Sequence, residues 1–144
     1  MSRNDFYLRH VKEALLSAGW TITDDPLVLR LFGLRLKVDV GASRTAADGS
    51  VSLIAVEVKN FRERKDYTNE FQKALGQYLT YFEIIKLREL PHVLYLAVPD
   101  EVHETFFQNG LIKHLTTLHN INFITFDPDS QTIVQWKPRL NSAK

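Results

Sequence analysis

The spacing of apolar residues predicts three helices. Residues 4–18 and 69–87 repeat their apolar positions with the period of an amphipathic α-helix. The second segment is the longest and carries a continuous apolar stripe. Residues 101–118 follow Pro99 and also look helical, with an interruption near Asn109-Gly110. The segments between the helices are the candidates for strands.

Short segments with alternating or continuous apolar residues predict the strands. Residues 34–41 alternate cleanly, whereas residues 51–59 are apolar almost throughout, so we expect the second strand to be central and covered on both faces. Residues 42–50 are polar and are predicted to form the turn between them. Residues 27–32 do not distinguish a strand from a helix. The other predicted strands are residues 20–23, 92–98, 121–126 and 131–136.

The order of these elements defines the fold class. A helix, a β-meander, a helix, a strand, a further helix and a β-hairpin indicate an α/β fold with a central mixed β-sheet flanked by α-helices. No internal repeat, low-complexity tract or linker divides the sequence. We therefore predict a single domain over residues 1–144, a length that fits one hydrophobic core.

Composition narrows the classes of function. The chain has no cysteine, which excludes disulfides, thiolate metal sites and a cysteine nucleophile. No Gly-rich phosphate loop and no helical pair of histidines with zinc-ligand spacing is present. The net charge is +1, so any contact with DNA must come from local basic clusters. The polar N-terminus and the lack of a long apolar run predict a cytoplasmic protein without a membrane segment.

The residues most suggestive of chemistry are Asp39, Glu57 and Lys59. Side chains alternate along a strand, so Glu57 and Lys59 project from the same face. The short connection between residues 34–41 and 51–59 predicts that these strands are antiparallel neighbours. If Asp39 lies opposite Glu57, both carboxylates share that face with Lys59.

Two carboxylates placed side by side favour a bound cation, because otherwise one of them takes up a proton. Mg²⁺ or Mn²⁺ suits such a site, since these ions take oxygen ligands and retain positions for water and phosphate. We predict Asp39 and Glu57 as metal ligands, with the backbone carbonyl of Val58 as a further ligand. Lys59 is then the catalytic cation that stabilises charge on a phosphate. A solvated strand face is the alternative for these charges.

The long helix adds two candidates at the border of its apolar stripe. Gln77 and Tyr81 lie one helical turn apart, where they can face a neighbouring sheet. We predict that these two side chains position a phosphate or a metal-bound water, with Gln77 as a catalytic residue and Tyr81 as a DNA contact; plain helix-edge residues are the alternative. Glu13 on the first helix is a weaker candidate and is more typical of an exposed helical acid.

A short basic segment directly follows the second strand. Arg62, Arg64 and Lys65 are candidate DNA contacts, because cationic side chains near the site can bind phosphates. Glu63 and Asp66 dilute the patch, and a solvated loop is an equally good interpretation.

These motifs resemble known families. Asp39 followed by residues 56–59 resembles the D-x(n)-E-x-K motif of the PD-(D/E)XK nuclease superfamily, although Val38 stands where that motif has proline. Residues 77–81 resemble the Q-x-x-x-Y motif of RecB-like members. Nearly the whole chain resembles the XisH family of excision controlling factors. The segments that carry this second resemblance are residues 19–27, 55–59, 74–78, 94–99 and 126–128.

The resemblance implies a restriction-endonuclease-like fold and a role in excising a DNA element that interrupts a nitrogen-fixation gene. A separate recombinase and a small partner protein, XisI, are implied as well, and many such nucleases are homodimers. Three functions stay open: a Mg²⁺- or Mn²⁺-dependent DNA phosphodiesterase, a non-catalytic accessory factor that binds XisI, and the toxin half of a toxin–partner pair. The near-neutral charge favours a protein partner.

Overall fold

A computed structural model describes residues 3–138 of the chain, with side chains from residue 7 onward. Four helices and eight strands follow one another, with 3₁₀ turns at residues 64–66 and 106–108. The helices are α1 (Arg3–Ser17), α2 (Tyr67–Leu87), α3 (Asp100–Thr105) and α4 (Gly110–Leu118). The strands are β1 (Thr21–Asp24), β2 (Leu27–Leu31), β3 (Leu34–Val38), β4 (Val40–Thr45), β5 (Val51–Val58), β6 (Val93–Pro99), β7 (Phe123–Asp127) and β8 (Thr132–Lys137).

The central sheet has six strands in the order β1-β4-β5-β6-β7-β8. Strand β6 is parallel to both of its neighbours, and the other pairs are antiparallel, so the sheet is mixed. This confirms the predicted α/β architecture with a central mixed sheet between helices. None of the helices in residues 3–138 is both long and apolar enough to cross a lipid bilayer.

The two faces of the sheet carry separate apolar clusters. The α1 cluster joins Val11 and Leu15 of α1 to Val56 and Val58 of β5. The α2 cluster joins α2 to the opposite face through Ala55, the residue of β5 directly before Val56. Because successive side chains of a strand point to opposite faces, β5 is buried on both, as its sequence predicts.

The prediction of one continuous strand over residues 34–41 is wrong. The chain bends at Asp39, which separates β3 from β4, and β4 continues to Thr45 into the segment predicted to be a turn. Val38 packs in the α2 cluster whereas Val40 packs in the α1 cluster. In a straight strand these two side chains would lie on the same face, so the bend moves the apolar row from one layer to the other.

The ambiguous segment 27–32 contains the whole of strand β2, which pairs only with β3. These two strands make a separate antiparallel hairpin, closed at its base by the pair of Leu27 with Val38. The apolar side of the hairpin packs against α2. The hairpin therefore interrupts the connection between β1 and β4, which are neighbours in the central sheet.

The predicted interruption of the third helical segment is confirmed, and Asn109 explains it. Its side-chain oxygen accepts hydrogen bonds from the N–H groups of Leu111 and Ile112, at 3.0 and 3.3 Å. Asparagine at this position satisfies backbone donors that a helix start leaves without partners. A new helix, α4, therefore begins at Gly110.

Tyr78 fixes α2 to the sheet. Its ring is 2% exposed, and its hydroxyl donates to the carbonyl of Leu94 at 3.1 Å. The same oxygen accepts the N–H of Asn122 at 3.0 Å. One hydroxyl thus joins the helix to β6 and to the segment that leads into β7, which sets the position of α2 over the sheet.

We expect Tyr78→Phe to lower the free energy of unfolding by about 1 to 2 kcal/mol, because the buried N–H of Asn122 loses its acceptor. Urea denaturation measures this change. Tyr95→Phe is the matched control: Tyr95 is 5% exposed, and its hydroxyl bonds no group in residues 3–138. The control should change the unfolding free energy by less than about 0.5 kcal/mol. Equal losses in the two variants would contradict the anchoring role of Tyr78.

Candidate active site

The candidate site forms where two chain segments meet at one end of β5. Asp39 occupies the bend between β3 and β4, and Glu57 and Lys59 lie at the end of β5. The N–H of Lys59 donates to the carbonyl of Ala97 at 2.9 Å, so pairing with β6 extends one residue beyond β5 itself. This bond holds the Lys59 backbone in line with the strand, on the same side as Glu57.

Asp39 and Glu57 bind each other's backbone. The N–H of Asp39 donates to Oε1 of Glu57 at 3.2 Å, and the N–H of Val58 donates to Oδ2 of Asp39 at 2.8 Å. Val40 pairs with Val56 in the neighbouring position of the antiparallel ladder. The prediction that Asp39 lies opposite Glu57 is therefore confirmed. Two side-chain hydrogen bonds replace ladder bonds at the bend.

Lys59 completes the cluster. Its ammonium Nζ lies 3.5 Å from Oε2 of Glu57, and both side chains are largely buried. One ammonium stands beside two carboxylates, so the cluster carries more negative than positive charge when all three groups are ionised. The carboxyl groups of Asp39 and Glu57 are also close enough to form a hydrogen bond with each other. The backbone N–H groups of Asp39 and Val58 are accepted by Oε1 of Glu57 and Oδ2 of Asp39, which leaves Oδ1 of Asp39 and Oε2 of Glu57 as the oxygens that could face a further cation.

Burial dominates the acidity of both carboxyl groups. Burial, together with the negative charge of Asp39, raises the pKa of Glu57 to about 7, even though the charge of Lys59 acts in the opposite direction. Burial also raises the pKa of Asp39, although the hydrogen bond from Val58 and the charge of Lys59 act in the opposite direction. The pair therefore resists full ionisation near neutral pH unless additional positive charge is supplied.

The donor set fits a hard divalent cation. Mg²⁺ and Mn²⁺ take carboxylate oxygens and commonly bind through one or two carboxylates, with water and phosphate filling the other positions. Asp39 and Glu57 supply that number, and no larger group of acidic or histidine side chains suited to a metal exists in the described part of the chain. The raised pKa of Glu57 shows that its charged form is poorly stabilised in the folded protein, and a bound cation would stabilise that form.

Gln77 and Tyr81 line a cavity on the α2 side of the sheet. The cavity has a volume of about 420 Å³ and is also lined by Leu36 of β3 and Lys73 of α2. Oε1 of Gln77 is buried and has no hydrogen-bond partner in residues 3–138. Burial raises the pKa of the Tyr81 phenol, and the nearby charges of Glu57 and Asp39 raise it further. Tyr81 therefore remains a hydrogen-bond donor close to the carboxylates.

Lys73 is a cavity residue that the sequence analysis missed. It lies four residues before Gln77 and eight before Tyr81, so all three share one face of α2. The same spacing in the sequence is the signal that identifies it. Its ammonium adds a cationic side chain to the lining of this cavity.

The basic residues predicted to contact DNA do not join the cluster of Asp39, Glu57 and Lys59. Phe61 has a φ of 47°, and beyond it the guanidinium of Arg62 lies 6.0 Å from the ring centroid of Tyr7 on α1. Lys65 is exposed and pairs with Glu63 at 3.5 Å, and Arg64 is exposed on a 3₁₀ turn. The left-handed backbone at Phe61 redirects the chain, which the order of residues alone does not reveal.

Glu13 also lies away from the site. It is exposed on α1, whose apolar side packs against the face of the sheet opposite to Glu57. The prediction that Glu13 is an exposed acidic residue of the first helix is therefore confirmed.

We expect the parent protein without divalent cations to lose stability as the pH rises from about 5 to about 8. The folded state retains a proton on Glu57 up to about pH 7, while the ordinary value is 4.5, so the folded state binds more protons in this range. Glu57→Gln cannot ionise and should be more stable than the parent at about pH 8, by on the order of 1 to 3 kcal/mol.

Urea unfolding over a pH series tests this expectation, with Glu83→Gln as the matched control because Glu83 is exposed on α2. The control should follow the parent at every pH. Parallel profiles for the parent and Glu57→Gln would show that Glu57 titrates normally in the folded protein.

Comparison with known proteins identifies the family. The XisH protein family model matches residues 1–134. A crystal structure of an XisH family protein from Nostoc punctiforme is 39% identical, with a TM-score of 0.83, and the alignment covers 92% of this chain and 98% of that one. The crystal structure of an fdxN element excision controlling factor protein from Anabaena variabilis is 38% identical, with the same TM-score and coverage. No protein of curated function matches. The chain belongs to the XisH family.

Proposed function

We propose that this chain is a divalent-cation-dependent DNA phosphodiesterase that takes part in the control of DNA element excision. The observation that carries the proposal is the buried pair Asp39 and Glu57, each bonded to the backbone beside the other, with Lys59 at 3.5 Å from Glu57. Burying charged groups destabilises a fold unless they are fully paired, and this cluster has a surplus of negative charge. A bound cation would compensate this negative charge and would itself bind a phosphate group.

The proposal includes a restriction-endonuclease-like fold of the PD-(D/E)XK type. Its support is the position of the aspartate directly before β4 and of the Glu-x-Lys motif at the end of β5, the adjacent antiparallel strand, with α2 across the same face. Fold alone does not imply activity, so the assignment of function depends on the residues of the site.

Each residue has a role that follows from its contacts. Oδ1 of Asp39 and Oε2 of Glu57 would hold Mg²⁺ or Mn²⁺, with the carbonyl of Val58 as a third oxygen ligand. When bound, the cation lowers the pKa of a water molecule and neutralises charge on the phosphate. Lys59 donates from its ammonium to a non-bridging phosphate oxygen, and its contact with Glu57 keeps it in place.

Gln77 and Tyr81 act from the helix side. The Oε1 atom of Gln77 lacks a partner and can accept a hydrogen bond from the attacking water, which orients it towards the phosphorus. Tyr81 keeps its phenolic proton and can donate to a phosphate oxygen. Arg62, Arg64 and Lys65 would meet the DNA farther from the reacting phosphate.

The biological setting of the proposal comes from the relatives. The Anabaena variabilis protein is described as an fdxN element excision controlling factor, and we propose the same role for this chain. We place it in the cytoplasm, where it meets DNA, and propose a small XisI-like protein and a second copy of the chain as protein partners.

A non-catalytic accessory factor is the second candidate. The net charge of +1 favours it, because a protein that binds DNA alone usually has a stronger positive field. In that case the chain would bind an XisI-like protein and regulate access of a recombinase to DNA.

Calorimetric titration with Mg²⁺ and Mn²⁺, followed by a nicking assay on supercoiled plasmid, tests the proposal. The parent should bind the cation and nick the plasmid. Glu57→Gln retains an oxygen for the N–H of Asp39 but loses a negative ligand, so it should lose both properties. Glu83→Gln should match the parent. If no cation binds even with DNA and an XisI-like protein present, the accessory-factor function replaces the enzyme.

Lys59→Met separates cation binding from chemistry. Because Lys59 repels a cation at Glu57, the variant should bind Mg²⁺ at least as tightly as the parent. Nicking should slow on the order of 10²-fold, since a donor that stabilises transition-state charge is lost. Lys86→Met, on the exposed face of α2, is the control and should nick at the parental rate. Unchanged nicking by Lys59→Met would remove Lys59 from the mechanism.

A further inference from the structure

The hairpin of β2 and β3 has one apolar and one basic face. Cross-strand partners share a face, and Leu29 opposite Leu36 belongs to the side that packs against α2. The opposite side carries the pairs Arg30 with Arg35 and Val28 with Lys37. The three cationic side chains are exposed.

The charge on this face is of one sign only. Residues 27–38 contain no acidic residue, and Arg30 lies directly opposite Arg35. Like charges in directly opposed positions destabilise an antiparallel pair. None of Arg30, Arg35 and Lys37 has an acidic partner among the residues with described side chains. An ordinary solvated face mixes both signs, so this face is suited to an anionic partner.

The residue at the tip of the hairpin, Phe32, has a backbone conformation and an exposure that are unfavourable for the folded chain on its own. Phe32 and Gly33 form a two-residue turn with φ angles of 49° and 81°, a combination that corresponds to a type I′ turn. Asparagine is the residue favoured at the first position, and a bulky side chain is rare at positive φ. The Phe32 side chain is also 87% exposed. Neither feature benefits the folded chain, which indicates that Phe32 contacts another molecule.

The hairpin begins at the candidate site. Strand β3 leads directly into Asp39, and Leu36 lines the cavity that Gln77 and Tyr81 share. At the rise of a β-strand, the tip lies roughly 15 to 20 Å from Asp39. That distance corresponds to about half a turn of duplex DNA, so the tip is within reach of a duplex that lies near Asp39.

We propose that the β2–β3 hairpin is a DNA-binding ribbon. Arg30, Arg35 and Lys37 contact phosphates of a duplex, and Phe32 enters a groove and packs against the base edges. The inference rests on the proposed function for its choice of DNA, because the ribbon starts at the site of phosphodiester hydrolysis. A duplex presents evenly repeated phosphates, which can serve three like charges along one ribbon.

Fluorescence anisotropy with a labelled random-sequence duplex tests the ribbon independently of cleavage, because EDTA is present throughout. The triple variant Arg30→Gln, Arg35→Gln, Lys37→Gln is compared with Arg9→Gln, Arg88→Gln, Lys113→Gln over a series of KCl concentrations. Both sets remove three exposed cations, but the control positions lie on α1, on α4 and just after α2. The hairpin variant should bind at least about tenfold more weakly, with a salt slope reduced by roughly 2 to 3.

Phe32→Asn is the second variant and separates fold from binding. Asparagine suits the type I′ turn, so the urea midpoint should rise. Affinity for the duplex should fall several-fold while the salt slope stays unchanged, because the lost contact carries no charge. Greater stability with weaker binding excludes unfolding as the cause.

The inference is overturned if both hairpin variants bind the duplex like the control set, which is the result expected if the ribbon instead serves an acidic protein. The proposed function fails separately. If the parent binds DNA through the ribbon but does not nick plasmid with Mg²⁺ or Mn²⁺, the DNA-binding role of the ribbon stands and the proposed enzyme activity is wrong. If the parent and both hairpin variants nick plasmid at the same rate, the proposed enzyme activity stands and the proposed role of the ribbon is wrong.

Discussion

The bend at Asp39 is the constraint on which the site and its surroundings depend. Its carboxylate accepts the N–H of Val58 while its own N–H is bound by Glu57, so the two strands are fixed at the point where their ordinary ladder stops. The bend turns the chain from the α2 layer to the α1 layer, and it directs two carboxylates to one place. A single pair of hydrogen bonds thus determines both the path of the chain and the position of the charged groups.

The location of this pair also determines its chemistry. Glu57 is buried at the end of a strand that is covered on both faces, so its charge is poorly solvated and its pKa rises. In an exposed position the same residues would ionise fully and would gain little from a cation. Burial therefore converts two ordinary carboxyl groups into a site that favours added positive charge, with Lys59 offsetting only part of the deficit.

The sequence predicts which residues meet at this site better than it predicts the chain path. Strand alternation and a short connection suffice to bring Asp39, Glu57 and Lys59 together. The bend is not predictable, because Val38 and Val40 are both apolar and periodicity does not show which layer each one meets. Arg62 is displaced for a similar reason, since the positive φ of Phe61 redirects the chain by a backbone torsion that phenylalanine rarely adopts.

The hairpin is hydrogen-bonded within itself and not to the central sheet, whose strands β1 and β4 pair directly across the point where it is inserted. Its length, charge and tip residue can therefore diverge among relatives while the bend and the carboxylates remain the same. The chain is therefore modular at this point: the hairpin can be lengthened, shortened or given other charges without removing a hydrogen bond from the ladder of the central sheet.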